Sequence, residues 1–110
     1  MAVLTDPPNG GIHHHMSYMG SNPNHFAWSN TNPVVNGTHW RLKIGSAPFG
    51  YNLYPGNPNG NPVPFGQLYD DFAKPNVNLS NRKIYATVEW QDNAGNWNSG
   101  GVYSTITCMQ

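Results

Sequence analysis

Apolar and polar residues alternate with a period of two in several parts of this chain. Between residues 38 and 45, Trp40, Leu42 and Ile44 alternate with two basic residues. Side chains of a β-strand point alternately to opposite faces, so the three apolar residues share one face. A one-residue slip would bury both charges, which fixes the register of this strand. The pattern predicts a strand whose apolar face lies in a core.

A second alternating segment covers residues 83–91. Its odd positions include Glu89, which this pattern places on the solvent side. Its even positions are apolar and are predicted to be buried. They are Ile84, Ala86, Val88 and Trp90.

Shorter strands are predicted between turn signals elsewhere. Residues 25–29 form one, with Phe26 and Trp28 on the same face, and short strands are expected near residues 3–5, 51–54, 63–72 and 102–109. Asn36-Gly37 and residues 92–96 are typical turn sequences. The chain is therefore expected to form an antiparallel β-sandwich of six to seven short strands. Residues 1–24 are expected to be an extended N-terminal arm, and residues 25–110 the sandwich, with Trp28, Trp40 and Trp90 in its core.

Composition agrees with an all-β fold. The 110 residues include 12 glycines and 10 prolines, which leave no room for a long helix. Five basic residues balance five acidic ones, so the basic face that nucleic-acid binding requires is not expected. No apolar run is long enough to cross a membrane, so no membrane insertion is expected. The first residues lack the basic and apolar regions of a signal peptide, which favours either a recloned domain or a protein released by lysis, as virion components are.

Three segments together resemble a known family. They are FAW at 26–28, WRLKIGSAPFG at 40–50 running on to LY at 53–54, and IYATV at 84–88 with Trp97 and Tyr103. Their order is similar to fibronectin-III/immunoglobulin-like repeats of bacterial extracellular proteins. The chain departs from that pattern at Phe49, where a small residue is usual, and in an insertion at 55–64. The resemblance implies a sandwich fold with a non-catalytic adhesive or spacer role, and it transfers no binding site.

Catalytic and metal chemistry find little support in the sequence. Asp70 and Asp71 are adjacent and would face apart in a strand, so they do not form the carboxylate pair of a glycosidase. Cys108 has no neighbouring base and is expected to be a buried free thiol. Adjacent histidines at 13–15 would also point to opposite faces, so no native metal site is predicted there. The expectation is a protein that is not an enzyme and needs no cofactor.

Aromatic residues in the loops are the candidate contact surface. Trp97 lies in a glycine-rich turn where burial is difficult, and other aromatic residues are expected near it. The candidate ligand or interface residues are Trp97, Tyr51, Tyr54, Phe49, Phe65, Asn96 and Asn98. Aromatic rings beside amides serve either protein interfaces or sugar binding.

The expected function is a structural or interaction subunit of an extracellular or virion-surface assembly, such as a capsid decoration, fibre or filament. Its partners would be copies of itself or other assembly proteins. The alternative is a carbohydrate-binding module that uses the aromatic residues around Trp97, with glycans as partners.

Overall fold

The computed structural model describes residues 1–14, 24–31, 33–57, 60–72, 79 and 81–109. These residues form strands and turns, and none of the described residues is helical. Accordingly, no helix in these ranges could span a membrane. The strands are β1 (Ala2–Asp6), β2 (Ile12–His14), β3 (Asn24–Asn30), β4 (His39–Gly45), β5 (Val63–Pro64), β6 (Tyr69–Phe72), β7 (Lys83–Gln91), β8 (Trp97–Asn98) and β9 (Ser104–Met109).

The strands form two sheets. The smaller sheet has the order β1-β3-β6, and the larger has the order β2-β9-β7-β4-β5, with β8 paired to β7. Neighbouring strands are antiparallel except β2 and β9, which run parallel. Apolar residues from both sheets meet in one core, so the fold is an all-β sandwich, as predicted.

The chain passes between the two sheets several times. β1, β3 and β6 lie in the smaller sheet, while β4, β7 and β9 lie in the larger one. β2 and β5 extend the larger sheet at its two edges.

The core confirms the register that the alternating pattern predicts. Trp40, Leu42, Ile44, Ile84 and Val88 are all at most 5% exposed. The core also contains Trp28, whose ring meets that of Trp40 edge-on at 6.3 Å between centroids. Trp90 is partly buried and packs against the same cluster. Cys108 is buried and in no disulfide, as expected.

The described part of the predicted arm belongs to the sandwich. β1 pairs with β3 along the edge of the smaller sheet, and its side chains Ala2 and Leu4 are buried. β2 then pairs with β9 in the larger sheet. The first segment of the chain therefore crosses from one sheet to the other within 14 residues. The rest of the arm, residues 15–23, lies outside the described residues, as does His15.

The region between β4 and β7 differs from the sequence expectation in two places. Residues 51–54 form turns rather than a strand, and only Tyr54 makes an isolated bridge, to Ile44. The strand expected over 63–72 is two strands, because a turn at 65–66 carries the chain from β5 in the larger sheet to β6 in the smaller one.

Candidate functional site

An ion-pair cluster lies on the outer face of the larger sheet. Arg41 on β4 stands opposite Glu89 on β7, and its Nε donates to Glu89 Oε1 at 2.6 Å. Lys43 Nζ approaches Glu89 Oε2 at 3.4 Å. The sequence placed Glu89 in solvent, which is wrong: its side chain is only 11% exposed. The alternating pattern gives the correct side of the strand but does not reveal what covers it.

Aromatic rings cover the cations of this cluster. The Arg41 guanidinium lies over the ring of Trp97 at 4.3 Å from its centroid, and Lys43 Nζ lies 5.5 Å from the centroid of Tyr51. Trp97 reaches this position because β8 folds back beside the end of β7. Cation–π contacts of this kind are stronger when the charges are shielded from water. The result is a polar centre bordered by large aromatic side chains.

Three further rings continue the aromatic surface. Tyr103 lies between Phe49 and Tyr85, with centroid distances of 5.3 and 5.8 Å and interplanar angles of 80° and 65°. Phe49 is 39% exposed, and Tyr103 is 40% exposed. The sequence analysis did not include Tyr85 and Tyr103 in the site, although the odd-position alternation that places Glu89 on this face also places Tyr85 there. We call the outer face of β4 and β7, together with these bordering rings, the larger-sheet face.

The backbone at Phe49 is unusual for such a large side chain. Its φ is +64°, in the left-handed region that glycine adopts at little cost. For a bulky residue this conformation is a true outlier. Phe49 is the third residue of a tight turn that is closed by a bond from Gly50 N to Ala47 O at 3.0 Å. Next to this turn, Asn52 Oδ1 accepts from Ser46 N at 3.0 Å. The turn thus holds the Phe49 ring in a fixed place beside Tyr103.

Thr87 lies at the centre of the larger-sheet face, opposite Lys43. It is only 1% exposed, and its Oγ1 has no hydrogen-bond partner among the described residues. A buried hydroxyl without a partner costs on the order of 1–3 kcal/mol. This position is therefore already covered within the monomer, whereas the bordering rings of Phe49, Tyr51 and Tyr103 are exposed.

Tyr54, expected in the contact surface, is buried instead. Its hydroxyl donates to Asp70 Oδ2 at 2.7 Å and accepts from Asn61 Nδ2 at 2.9 Å. Asp70 faces inward from β6, opposite Phe26, while its neighbour Asp71 is exposed, as the strand pattern predicts. Burial raises the pKa of the Asp70 carboxyl, even though the bond from Tyr54 favours its ionised form. Burial, with that bond, also raises the pKa of the Tyr54 hydroxyl. This network joins a loop of the larger sheet to the smaller sheet.

Phe65 is also drawn away from the surface. Its ring stacks on Trp40 with a centroid distance of 4.7 Å and an interplanar angle of 11°. The Trp40 indole N–H donates to the Phe65 carbonyl oxygen at 2.7 Å. Phe65 therefore closes the end of the core, where its partly buried ring packs against the main cluster.

Asn96 lies in the hairpin turn, as predicted, and Asn98 lies on β8; both bind Asp92. Asp92 Oδ1 accepts from the backbone N–H groups of Asn96 and Ala94, at 2.9 and 3.0 Å, and Asn98 Nδ2 donates to Oδ2 at 3.4 Å. The bond from the Asn96 N–H is the main cause of the lowered pKa of Asp92. The two amides thus shape the turn that presents Trp97.

Of the seven residues predicted for the site, Trp97, Tyr51 and Phe49 border the larger-sheet face, while Tyr54 and Phe65 are packed inside. Comparison with family models, curated proteins and solved structures found no match for this chain. Within the described ranges, three or more His, Cys, Asp or Glu side chains do not come together in a group that could hold a metal ion.

Proposed function

We propose that this chain is a non-catalytic structural and interaction subunit of an extracellular assembly, such as a virion surface, a fibre or a filament. Its contact surface is the larger-sheet face. The chain resembles, in the segments described above, adhesive repeats of bacterial extracellular proteins. An adhesive role of this kind requires a surface that contacts other proteins.

The observation that carries the proposal is the conformation of Phe49. A left-handed backbone at a phenylalanine costs about 1–2 kcal/mol. That strain holds a ring that is 39% exposed at the surface instead of filling the core. Strained residues of this kind cluster at functional sites. Phe49, Tyr51, Tyr103 and Trp97 have the composition of an interface centre, where aromatic residues and arginine contribute most of the binding energy.

A carbohydrate-binding module is supported less well. Sugars stack best on the open face of an aromatic ring, and Arg41 already lies over the ring of Trp97. The rings of Phe49, Tyr85 and Tyr103 are steeply tilted to one another and do not form a flat platform. A glycan array probed with the wild type and with Trp97→Ala tests this alternative. Binding to a glycan that the substitution abolishes would favour it over a protein contact.

Density-gradient fractionation of the culture that produces the protein tests the proposed function. We expect the wild type to sediment with large extracellular particles. Phe49→Gly removes the ring at a position whose backbone suits glycine, so we expect this variant to fold and to remain in the slowly sedimenting fraction. Val35→Ala, which alters an exposed apolar residue in a different loop, is the matched control and should follow the wild type. Slow sedimentation of all three proteins would contradict the proposal.

A further inference from the structure

The charges on the larger-sheet face are predominantly positive. Arg41, Lys43 and Lys83 point outward from β4 and β7, and Glu89 is the carboxylate among them. Three cations against one carboxylate leave two net positive charges. Exposed Arg82 lies directly before Lys83. The nearby carboxylate of Asp92 lies in the hairpin turn beyond the end of β7, where it binds the turn's own amides.

The outer face of the smaller sheet is acidic, and we call it the smaller-sheet face. Asp6 and Asp71 are exposed on it, on strands at either side of β3. They pair with β3 residues two positions apart, so they lie about 7 Å apart along the strands and about 10 Å apart across them. The sequences of β1, β3 and β6 contain no lysine or arginine.

Two other groups could alter the charge of the smaller-sheet face. His25 Nδ1 lies 2.6 Å from Asp71 Oδ1, and this histidine contributes charge only when it is protonated. The amino-terminal ammonium group lies at the opposite end of β1 from Asp6, where it donates to the Thr31 carbonyl oxygen at 2.6 Å. With His25 neutral, two net negative charges remain around Asp6 and Asp71 among the residues that the structure describes.

Both faces also carry exposed apolar side chains. On the larger-sheet face these are Phe49, Tyr51 and Tyr103. On the smaller-sheet face Tyr69 is 45% exposed and lies beside His25, with a centroid distance of 5.4 Å, and Leu68 directly precedes it at 39% exposure. Each face therefore combines apolar contact area with one predominant sign of charge, which is the arrangement that gives electrostatic complementarity at interfaces.

We propose that copies of this chain bind one another through unlike faces, with the larger-sheet face of one copy against the smaller-sheet face of the next. Contacts between like faces would oppose two charges of the same sign. Because the sheets pack through their inner sides, their outer faces point in opposite directions, and each bound copy leaves a free face for another. Such a head-to-tail contact produces a ring or an open filament rather than a two-fold dimer. This inference rests on the proposed function and names the partner as a second copy.

Sedimentation of charge-reversed variants at low ionic strength tests the proposal. Lys83→Glu removes the net positive charge of the larger-sheet face, and Asp71→Lys removes the net negative charge of the smaller-sheet face. We expect the wild type to form species that grow with protein concentration and dissociate as salt screens the charges. We expect each variant alone to associate at least about tenfold more weakly. Asn93→Lys, at the exposed tip of the hairpin, is the control and should behave like the wild type.

Mixing the two variants gives the decisive result. Each retains the face that the other lacks, so an equimolar mixture should form one-to-one dimers that grow no further. Failure of the mixture to form dimers, or a wild type that remains monomeric at low salt, would overturn the head-to-tail contact. Sedimentation with extracellular particles in the gradient experiment would still support the proposed function, so the two failures can be told apart.

Discussion

Phe49 combines a left-handed backbone with an exposed aromatic side chain. The left-handed backbone favours glycine. The exposed ring contributes little to the stability of a monomer beyond its edge contact with Tyr103. At the scale of a single residue, the fold therefore carries a cost that glycine would avoid. An interaction surface that needs the ring gives a reason for this cost.

The strain at Phe49 can be measured with two substitutions that both remove the ring. We expect Phe49→Gly to be more stable than Phe49→Ala by about 0.5–1 kcal/mol, because glycine relieves the left-handed strain while it increases the entropy of the unfolded chain. Urea unfolding of both variants gives this difference directly. An alanine variant as stable as the glycine variant would show that the turn holds no strain.

At the scale of elements, β1 is an integral strand rather than a free arm. Leu4 is 4% exposed and belongs to the core cluster, whereas its neighbour Val3 is 37% exposed on the outer side of the same strand. The two residues therefore provide a matched pair for testing whether this segment contributes to stability.

We expect Leu4→Ala to lower the free energy of unfolding by about 2–5 kcal/mol, because it leaves a cavity in the core. Val3→Ala should change it by about 0.5 kcal/mol or less, as exposed substitutions generally do. Thermal or urea unfolding of both variants measures the contrast. Equal, small effects would mean that β1 is detached from the sheet in solution.

The strands with strict alternation could be predicted well, because a period of two records which side faces the core. Trp40, Leu42 and Ile44 are examples. The burial of residues on the outer face of the same strands could not be predicted in the same way. Glu89 is buried by long-range contacts with Arg41 and Lys43 and by loops that return over the sheet, and these contacts leave no local pattern.

The candidate site was predicted only in part for a related reason. Trp97 was found because a tryptophan between two asparagines in a turn is conspicuous. Tyr54 has the same aromatic-loop signature, but Asp70 on a distant strand draws its hydroxyl inward. Because Tyr54 and Asp70 are 16 residues apart in the chain, no local pattern around Tyr54 indicates that its ring is buried.

At the scale of the whole molecule, the two sheets are joined by a shared apolar core and by the Tyr54–Asp70 hydrogen bond. Asp70 is a carboxyl group at the border of that core, and it is 9% exposed. Its raised pKa therefore links the stability of the entire sandwich to pH.

Because its folded-state pKa is above the ordinary value of 3.8, the folded protein holds the Asp70 proton more tightly than the unfolded chain does. The resulting stabilisation is fully present below pH 3.8 and is lost as pH rises through the raised pKa. We expect the stability of the wild type relative to Asp70→Asn to increase as pH falls from about 7 to about 3. Urea unfolding across this range measures it, with Asp6→Asn as the control for losing an exposed carboxylate. A difference that does not change with pH would contradict the assignment.

The burial of Cys108 makes the reactivity of its thiol depend on opening of the fold. Burial raises the pKa of this thiol to about 11, so roughly one in ten thousand copies carries a reactive thiolate at pH 7. We expect Ellman's reagent to label the native protein only as fast as the sandwich opens, and to label the urea-unfolded chain at once. Rapid labelling of the native protein would contradict this expectation. At reagent concentrations where labelling is faster than reclosing, the labelling rate equals the opening rate, so the colour change then gives the lifetime of the closed fold.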